Sequence, residues 1–294
     1  MSADAEPHRW RSPLLGEWLQ LELPQGTLEA FRRGEGPPLV FAHGWLANAN
    51  LWRRVVDSLA DRFACHVLDL PLGAHRVALD PRADLSAAGC GELVADAIAA
   101  LGLDGVTLVG NDSGGAYSQI AVSRSPERVA RLVLTSCETP HDEFPPSPFE
   151  GLPAVAADPA QLRQLLGALE DPEVRKLPAA FGLLARNPLD PAVSDSYALP
   201  CLRDDGVLRD TAKAMAGAST AAVREAGARL TESWERPALL AWSREDPVFP
   251  LEHARRYAVE LPRAELVELD DSYSFTPEDQ PAGLAAAIAA FAGG

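Results

Sequence analysis

The sequence predicts an α/β fold, an eight-stranded and mostly parallel sheet with helices on both faces and a helical insertion. Three observations carry that prediction. Short β-branched and apolar runs recur along the 294 residues with helical stretches between them, the alternation of a parallel sheet covered on both sides. The first two runs lie too close together for a crossover helix, so they form an antiparallel hairpin at one edge. About a hundred residues between the sixth and seventh runs carry helical patterns broken by Pro and Gly, which is too long for a structureless loop.

The strands follow in order: "EWLQLELP" (17–24), "TLEAFRRG" (27–34), "PPLVFAHG" (37–44), "ACHVLDLP" (64–71), "VTLVG" (106–110), "ARLVLTSC" (130–137), "ALLAWS" (238–243) and "AELVELD" (264–270). Helices fit at 50–62, 87–101, 114–125, 252–260 and 278–292, with right-handed crossovers between the later strands. The insertion, with "PAQLRQLLGAL" and "VLRDTAKAMAG", opens on the proline-rich "TPHDEFPPSPFEGLP". The expected division is therefore a core of 1–137 and 238–294 with a helical cap of 138–237.

Composition excludes several function classes. A net charge of −16 repels a polyanion, so nucleic acid is not the expected partner. No apolar run reaches the roughly 20 residues of a membrane span, and "MSADAEPHRWRSP" lacks a signal-type apolar segment. A cytoplasmic protein is expected. Cys65, Cys90, Cys137 and Cys201 are scattered and read as buried thiols. His66 and His75 flank "VLDLPLGA", with Cys65 and Asp69 beside them, without metal-ligand spacing. Neither G-x-G-x-x-G nor a P-loop lysine is present. The expected partner is thus a small neutral or cationic molecule, with no cofactor and no metal.

The chemistry centres on "TLVGNDSGGAY" (107–117), where a strand ends abruptly in a Gly-flanked turn. Such a turn raises one side chain above the sheet, and small residues are needed two before and two after it. Gly110 and Gly114 meet that spacing about Asp112; about Ser113 the preceding small position would be Asn111. Asp112 is the better choice, with helix capping as its rival role. "LVFAHGWLANANLW" places His43, Gly44 and Trp45 after the third strand, where the amide of Trp45 can converge with that of Ser113 into an oxyanion hole. His43 reads as a loop-holding histidine.

With these motifs the chain resembles an α/β-hydrolase over nearly its whole length, and an Asp at the elbow resembles the haloalkane and fluoroacetate dehalogenases and the soluble epoxide hydrolases. The resemblance implies Asp112 as nucleophile and Asp246, in "REDPVFP", as the acid that orients a histidine. Glu138, at the end of the sixth strand, is a second candidate for that acid. Tyr197 matches in position the cap tyrosines of epoxide hydrolases. Phe144, Phe149, Phe181, Trp45 and Trp52 offer apolar walls.

The histidine itself is missing. Relatives carry it after the eighth strand, where "DDSYSFTPEDQP" puts Tyr273 and Ser274, and no histidine follows His253. A serine enzyme would lose acylation with its base. A carboxylate, with a reference pKa of about 3.9, is already ionised and still attacks carbon; what the histidine serves is hydrolysis of the resulting ester. His141, at the cap entrance, is a candidate replacement. The expected function is therefore a cofactor-free enzyme using Asp112 on a small or medium apolar epoxide or organohalide, with an impaired hydrolytic half-reaction. The rival readings are a non-hydrolytic lyase, isomerase or cyclase, and a catalytically silent ligand-binding homologue.

Overall fold

A computed structural model describes residues 6–293. Eight strands form one sheet in the order β1-β2-β4-β3-β5-β6-β7-β8. These are β1 (Glu17–Leu23), β2 (Gly26–Arg33), β3 (Pro38–Ala42), β4 (Ala64–Leu68), β5 (Val106–Asn111), β6 (Val129–Thr135), β7 (Ala238–Ser243) and β8 (Ala264–Leu269). The hairpin β1–β2 is antiparallel and β2 runs antiparallel to β4, while every later pairing is parallel. All six residues of both β5 and β7 are buried, as central parallel strands with both faces covered must be. β1 and β8, at the edges, alternate or remain half exposed.

Helices α1 (Arg53–Leu59), α2 (Ala87–Ala100) and α3 (Ser113–Arg124) connect the first six strands. Between β6 and β7 come α4 (Leu152–Ala156), α5 (Pro159–Leu166), α6 (Pro191–Ala198), α7 (Pro200–Arg203), α8 (Asp205–Ala216) and α9 (Thr220–Ser233). The chain closes with α10 (Leu251–Glu260), α11 (Thr276–Asp279) and α12 (Pro281–Gly293). Among the described residues no helix is long and apolar enough to cross a membrane.

The insertion expected at 138–237 divides in two by its packing. α4 and α5 pack on α8, whereas α9 lies along α3 and also touches α2, in the helical layer over the sheet. Its apolar face, Val223, Ala226 and Leu230, is buried there, and Gly227 lets Pro140 approach closely. Periodicity could not reveal this, because an amphipathic helix reads the same whichever surface it covers.

Candidate active site

The centre of the site is the turn between β5 and α3. Asp112 has φ 53° and ψ −141°, a conformation that costs a residue with a Cβ and that persists only where neighbours enforce it. Here they do: its amide donates to Ser136 O at 3.0 Å and its carbonyl accepts from Gly115 at 2.7 Å. The spacing of small residues has a direct cause. A Cβ on Gly110 would stand 2.6 Å from the carbonyl oxygen of Gly114, and one on Gly114 would stand 2.4 Å from that of Ala42. Asn111 ties the turn to its surroundings, its Nδ2 donating to Thr135 O at 2.9 Å and to Ser274 O at 2.8 Å.

The two oxygens of Asp112 differ. Oδ1 accepts from the amide of Ser113 at 2.6 Å and from its hydroxyl at 3.2 Å. Oδ2 has no hydrogen-bond partner among the described residues, and it stands over Gly44, where a Cβ would come within 2.6 Å of it. The Ser113 amide is thus fixed on one carboxylate oxygen and leaves the other free of it. The amide of Trp45, expected as the second donor, makes no bond to the carboxylate among the described residues, and its indole nitrogen reaches Thr211 O at 3.4 Å. His43 holds the loop beneath: Nδ1 donates to Gly44 O at 2.9 Å and Nε2 accepts the amide of Leu70 at 2.8 Å. Burial pushes its pKa down to about 4, so it is neutral, as those two bonds require.

Asp112 opens on a cavity of about 210 Å³. Its walls are apolar, with Trp45 and Leu46 from the core, Leu165, Leu166, Leu169 and Leu177 from the insertion, and Val248 and Phe249 from the loop after β7. Leu165 and Leu177 are also among the most exposed large apolar residues, 47 % and 51 %, which puts them at the mouth. Among the described residues, the titratable side chains on the lining are Asp112 and Glu138. Burial, then the charge of Asp246, raises Asp112 to about 7, and burial, then the charge of Asp112, raises Glu138 well above the usual carboxylate range. Both oxygens of Glu138 are buried without a partner.

In the loop after β8, a hydroxyl reaches Asp246. Ser274 Oγ donates to Asp246 Oδ1 at 2.9 Å, and that oxygen also accepts the amides of Val248 at 2.9 Å and Phe249 at 3.0 Å. Asp246 Oδ2 is buried and unpaired, and burial raises the carboxyl to about 6. Neither residue lines the cavity.

Several residues expected at the pocket lie elsewhere. His141 faces outward, with Nε2 2.8 Å from Glu260 and its ring beside those of His253 and Tyr257. Tyr197 donates to Glu278 Oε1 at 3.1 Å in a buried group completed by Arg53, because a charged pair in the interior needs further donors. Phe144 packs edge-on to Tyr117, and Trp52 packs on Phe41. Tyr273 is half-buried, with its amide on Asp279 and its carbonyl taking the Ser243 hydroxyl. Phe149 and Phe181 do line the cavity, together with Met215 and Leu184, which sequence reasoning missed. Spacing of Leu162, Leu165, Leu166 and Leu169 at i, i+3, i+4 and i+7 was the available signal for the insertion's wall.

This geometry agrees with what the chain is similar to. The sequence pattern of the alpha/beta hydrolase fold matches residues 37–281. An uncharacterized protein of Mycobacterium tuberculosis is 29% identical over 277 residues, covering 90% of this chain and 78% of that protein. The pimeloyl-[acyl-carrier protein] methyl ester esterase of Aeromonas hydrophila is 30% identical over 208 residues, 60% of this chain and 79% of its own length. Among solved structures, a haloalkane dehalogenase from Bradyrhizobium elkani superposes with TM-score 0.77 at 18% identity, over 94% of this chain and 97% of that one. From the strained elbow, the glycine loop facing it and a match spanning most of the sequence, the chain is a member of the alpha/beta hydrolase family.

Proposed function

We propose that the protein is a hydrolase-type enzyme in which Asp112 attacks the sp³ carbon of a small or medium apolar epoxide or organohalide and forms an alkyl ester. The observation that carries this reading is the asymmetry of the carboxylate: Oδ1 is held by the Ser113 amide while Oδ2 has no partner and stands at an apolar cavity. Desolvation strengthens such a nucleophile, because water no longer competes for its lone pairs. The ester-cleaving relatives are matched over part of the chain, but a hydroxyl nucleophile depends on an adjacent base and no histidine lines this cavity. An ionised carboxylate has no such need.

Intact-mass spectrometry after incubation with a panel of epoxides and haloalkanes tests the reading. The expected result is an adduct mapped to Asp112, absent from Asp112→Asn, with turnover in that variant lower by on the order of 10⁴-fold or more. A panel that gives neither adduct nor turnover would overturn it.

A second reading is favoured by one feature, Ser274 at the position where the resemblance has histidine. In a lyase or isomerase Asp112 would move a proton and no water would be consumed. Recovery of products free of solvent oxygen, run in oxygen-labelled water, selects this reading over the first.

A further inference from the structure

Glu138 is the feature the nucleophile reading leaves unused. It stands just past β6, at the end of the sequence Ser136-Cys137-Glu138, and its backbone is fixed by Gln119, whose Nε2 donates to the Glu138 carbonyl at 2.7 Å. The side chain is 1 % exposed, forms part of the same cavity wall as Asp112, and offers two oxygens that bond to nothing among the described residues. Buried polar atoms are nearly always paired, so a carboxyl left open toward a cavity has a partner that is not part of the protein.

Resting on the nucleophile reading, we propose that Glu138 is the proton donor and then the base of the reaction, and that the substrate is accordingly an epoxide rather than an organohalide. Two carboxyls in one apolar cavity do not both ionise, and their hydrogen bonds decide which keeps the proton. Asp112 accepts from an amide and a hydroxyl, which stabilise its anion; Glu138 has only its own amide nearby, outside hydrogen-bond geometry. The charges acting on Glu138 are those of Asp112 and of Asp142 in its own loop, with Tyr117 on α3 and Cys137 as uncharged neighbours. None of these is a cation that would favour ionisation, so Asp112 is the anion and Glu138 the acid.

The reaction then balances. Oδ2 of Asp112 attacks an oxirane carbon, the C–O bond breaks, and the oxygen takes the proton of Glu138, leaving a hydroxyalkyl ester and a Glu138 carboxylate. That carboxylate next takes a proton from water as the water oxygen adds to the Asp112 Cγ, and the oxyanion forms on the oxygen held by the Ser113 amide. Collapse breaks the ester's acyl C–O bond, and the leaving alkoxide takes the remaining proton of the added water, which restores the Asp112 carboxylate. One water and one epoxide give one diol, and Glu138 ends with its proton. A halide needs no proton to leave, and it would depart into a cavity whose lining has no cation and two acids. The same group thus supplies the acid of the first half and the base that the missing histidine would have supplied in the second.

Glu138→Gln keeps the shape and removes the proton transfer. With styrene oxide the rate of Asp112 ester formation is expected to fall by about 10²- to 10⁴-fold, while alkylation by benzyl chloride falls far less and its ester now accumulates. The wild-type rate with styrene oxide should rise as Asp112 ionises and fall again at higher pH as Glu138 loses its proton, whereas benzyl chloride shows only the rising limb. Glu138→Asp should recover part of the epoxide rate. Unchanged turnover of styrene oxide in Glu138→Gln, or an equal loss with both electrophiles, overturns the proposal while leaving the nucleophile in place. No Asp112 adduct and no turnover in the wild type with either electrophile removes both.

Discussion

The two walls of the site treat their polar atoms differently. On the wall built from β3 and β5, His43 uses both ring nitrogens and Asp112 Oδ1 has two donors, with Asn111 Oδ1 and the cavity-facing Asp112 Oδ2 the unpaired exceptions among the described residues. On the wall built from the loops after β6, β7 and β8, both oxygens of Glu138 and Oδ2 of Asp246 are buried and bare. The difference teaches where the fold fixes donors around an acid and where it leaves an acid without them. The first wall has the fixed donors that a developing oxyanion requires. The second has buried acids with bare oxygens, and burial raises the pKa of both.

The first wall is broken most severely at Gly44. A Cβ there would lie 2.5 Å from Cγ and 2.6 Å from Oδ2 of Asp112, so the carboxylate must swing away from the Ser113 amide. Gly44→Ala should therefore slow Asp112 alkylation by about 10²-fold, the cost of a misplaced reacting group, and lower stability by ~1–3 kcal/mol from overpacking. Alkylation kinetics and thermal unfolding measure the two effects. Wild-type alkylation in this variant would show that the carboxylate does not react from the position it occupies.

The second wall makes a prediction about pH. Burial raises Asp246 from 3.8 to about 6. The folded state thus binds this proton more tightly than the unfolded chain, and stability falls as pH rises through that window, by up to ~3 kcal/mol. Asp246→Asn abolishes this contribution. Its stability advantage over the wild type should be small at about pH 4, grow until about pH 6 and stay level above it. Since Asp246 is off the cavity lining, Asp112 alkylation should survive the change. Denaturant unfolding across the pH range decides; an advantage independent of pH would mean that Asp246 is not held in a raised state.

How legible this was in the sequence follows the same division. All eight strands lie within a few residues of their expected positions, because strands of a covered parallel sheet are dense in β-branched and apolar residues. The elbow was legible too, since Gly110 and Gly114 are dictated by backbone contacts two residues either side of Asp112. The second wall was not. Tyr197 and His141 have the right place in the chain, yet each turns to a carboxylate of its own, Glu278 or Glu260, and no local pattern announces a partner 81 or 119 residues away. The bare oxygens of Glu138 were equally hidden, because an unpaired group is defined by everything around it rather than by its neighbours in sequence.

The finest division between the walls lies at Ser274. Its carbonyl serves the first wall by accepting from Asn111, and its hydroxyl serves the second by donating to Asp246. Ser274→Ala removes only the hydroxyl. Asp246 keeps the amides of Val248 and Phe249, so the loss should be about 1 kcal/mol, the net worth of one hydrogen bond. The pKa of Asp246 should move further up, because a bond that favours its anion has gone. Alkylation of Asp112 should not change, since the carbonyl that steadies the elbow is untouched and Ser274 is not on the cavity. A fall in alkylation at unaltered stability would place the hydroxyl among the reacting groups and erase the boundary between the wall that holds the proposed nucleophile and the loops that hold the buried acids.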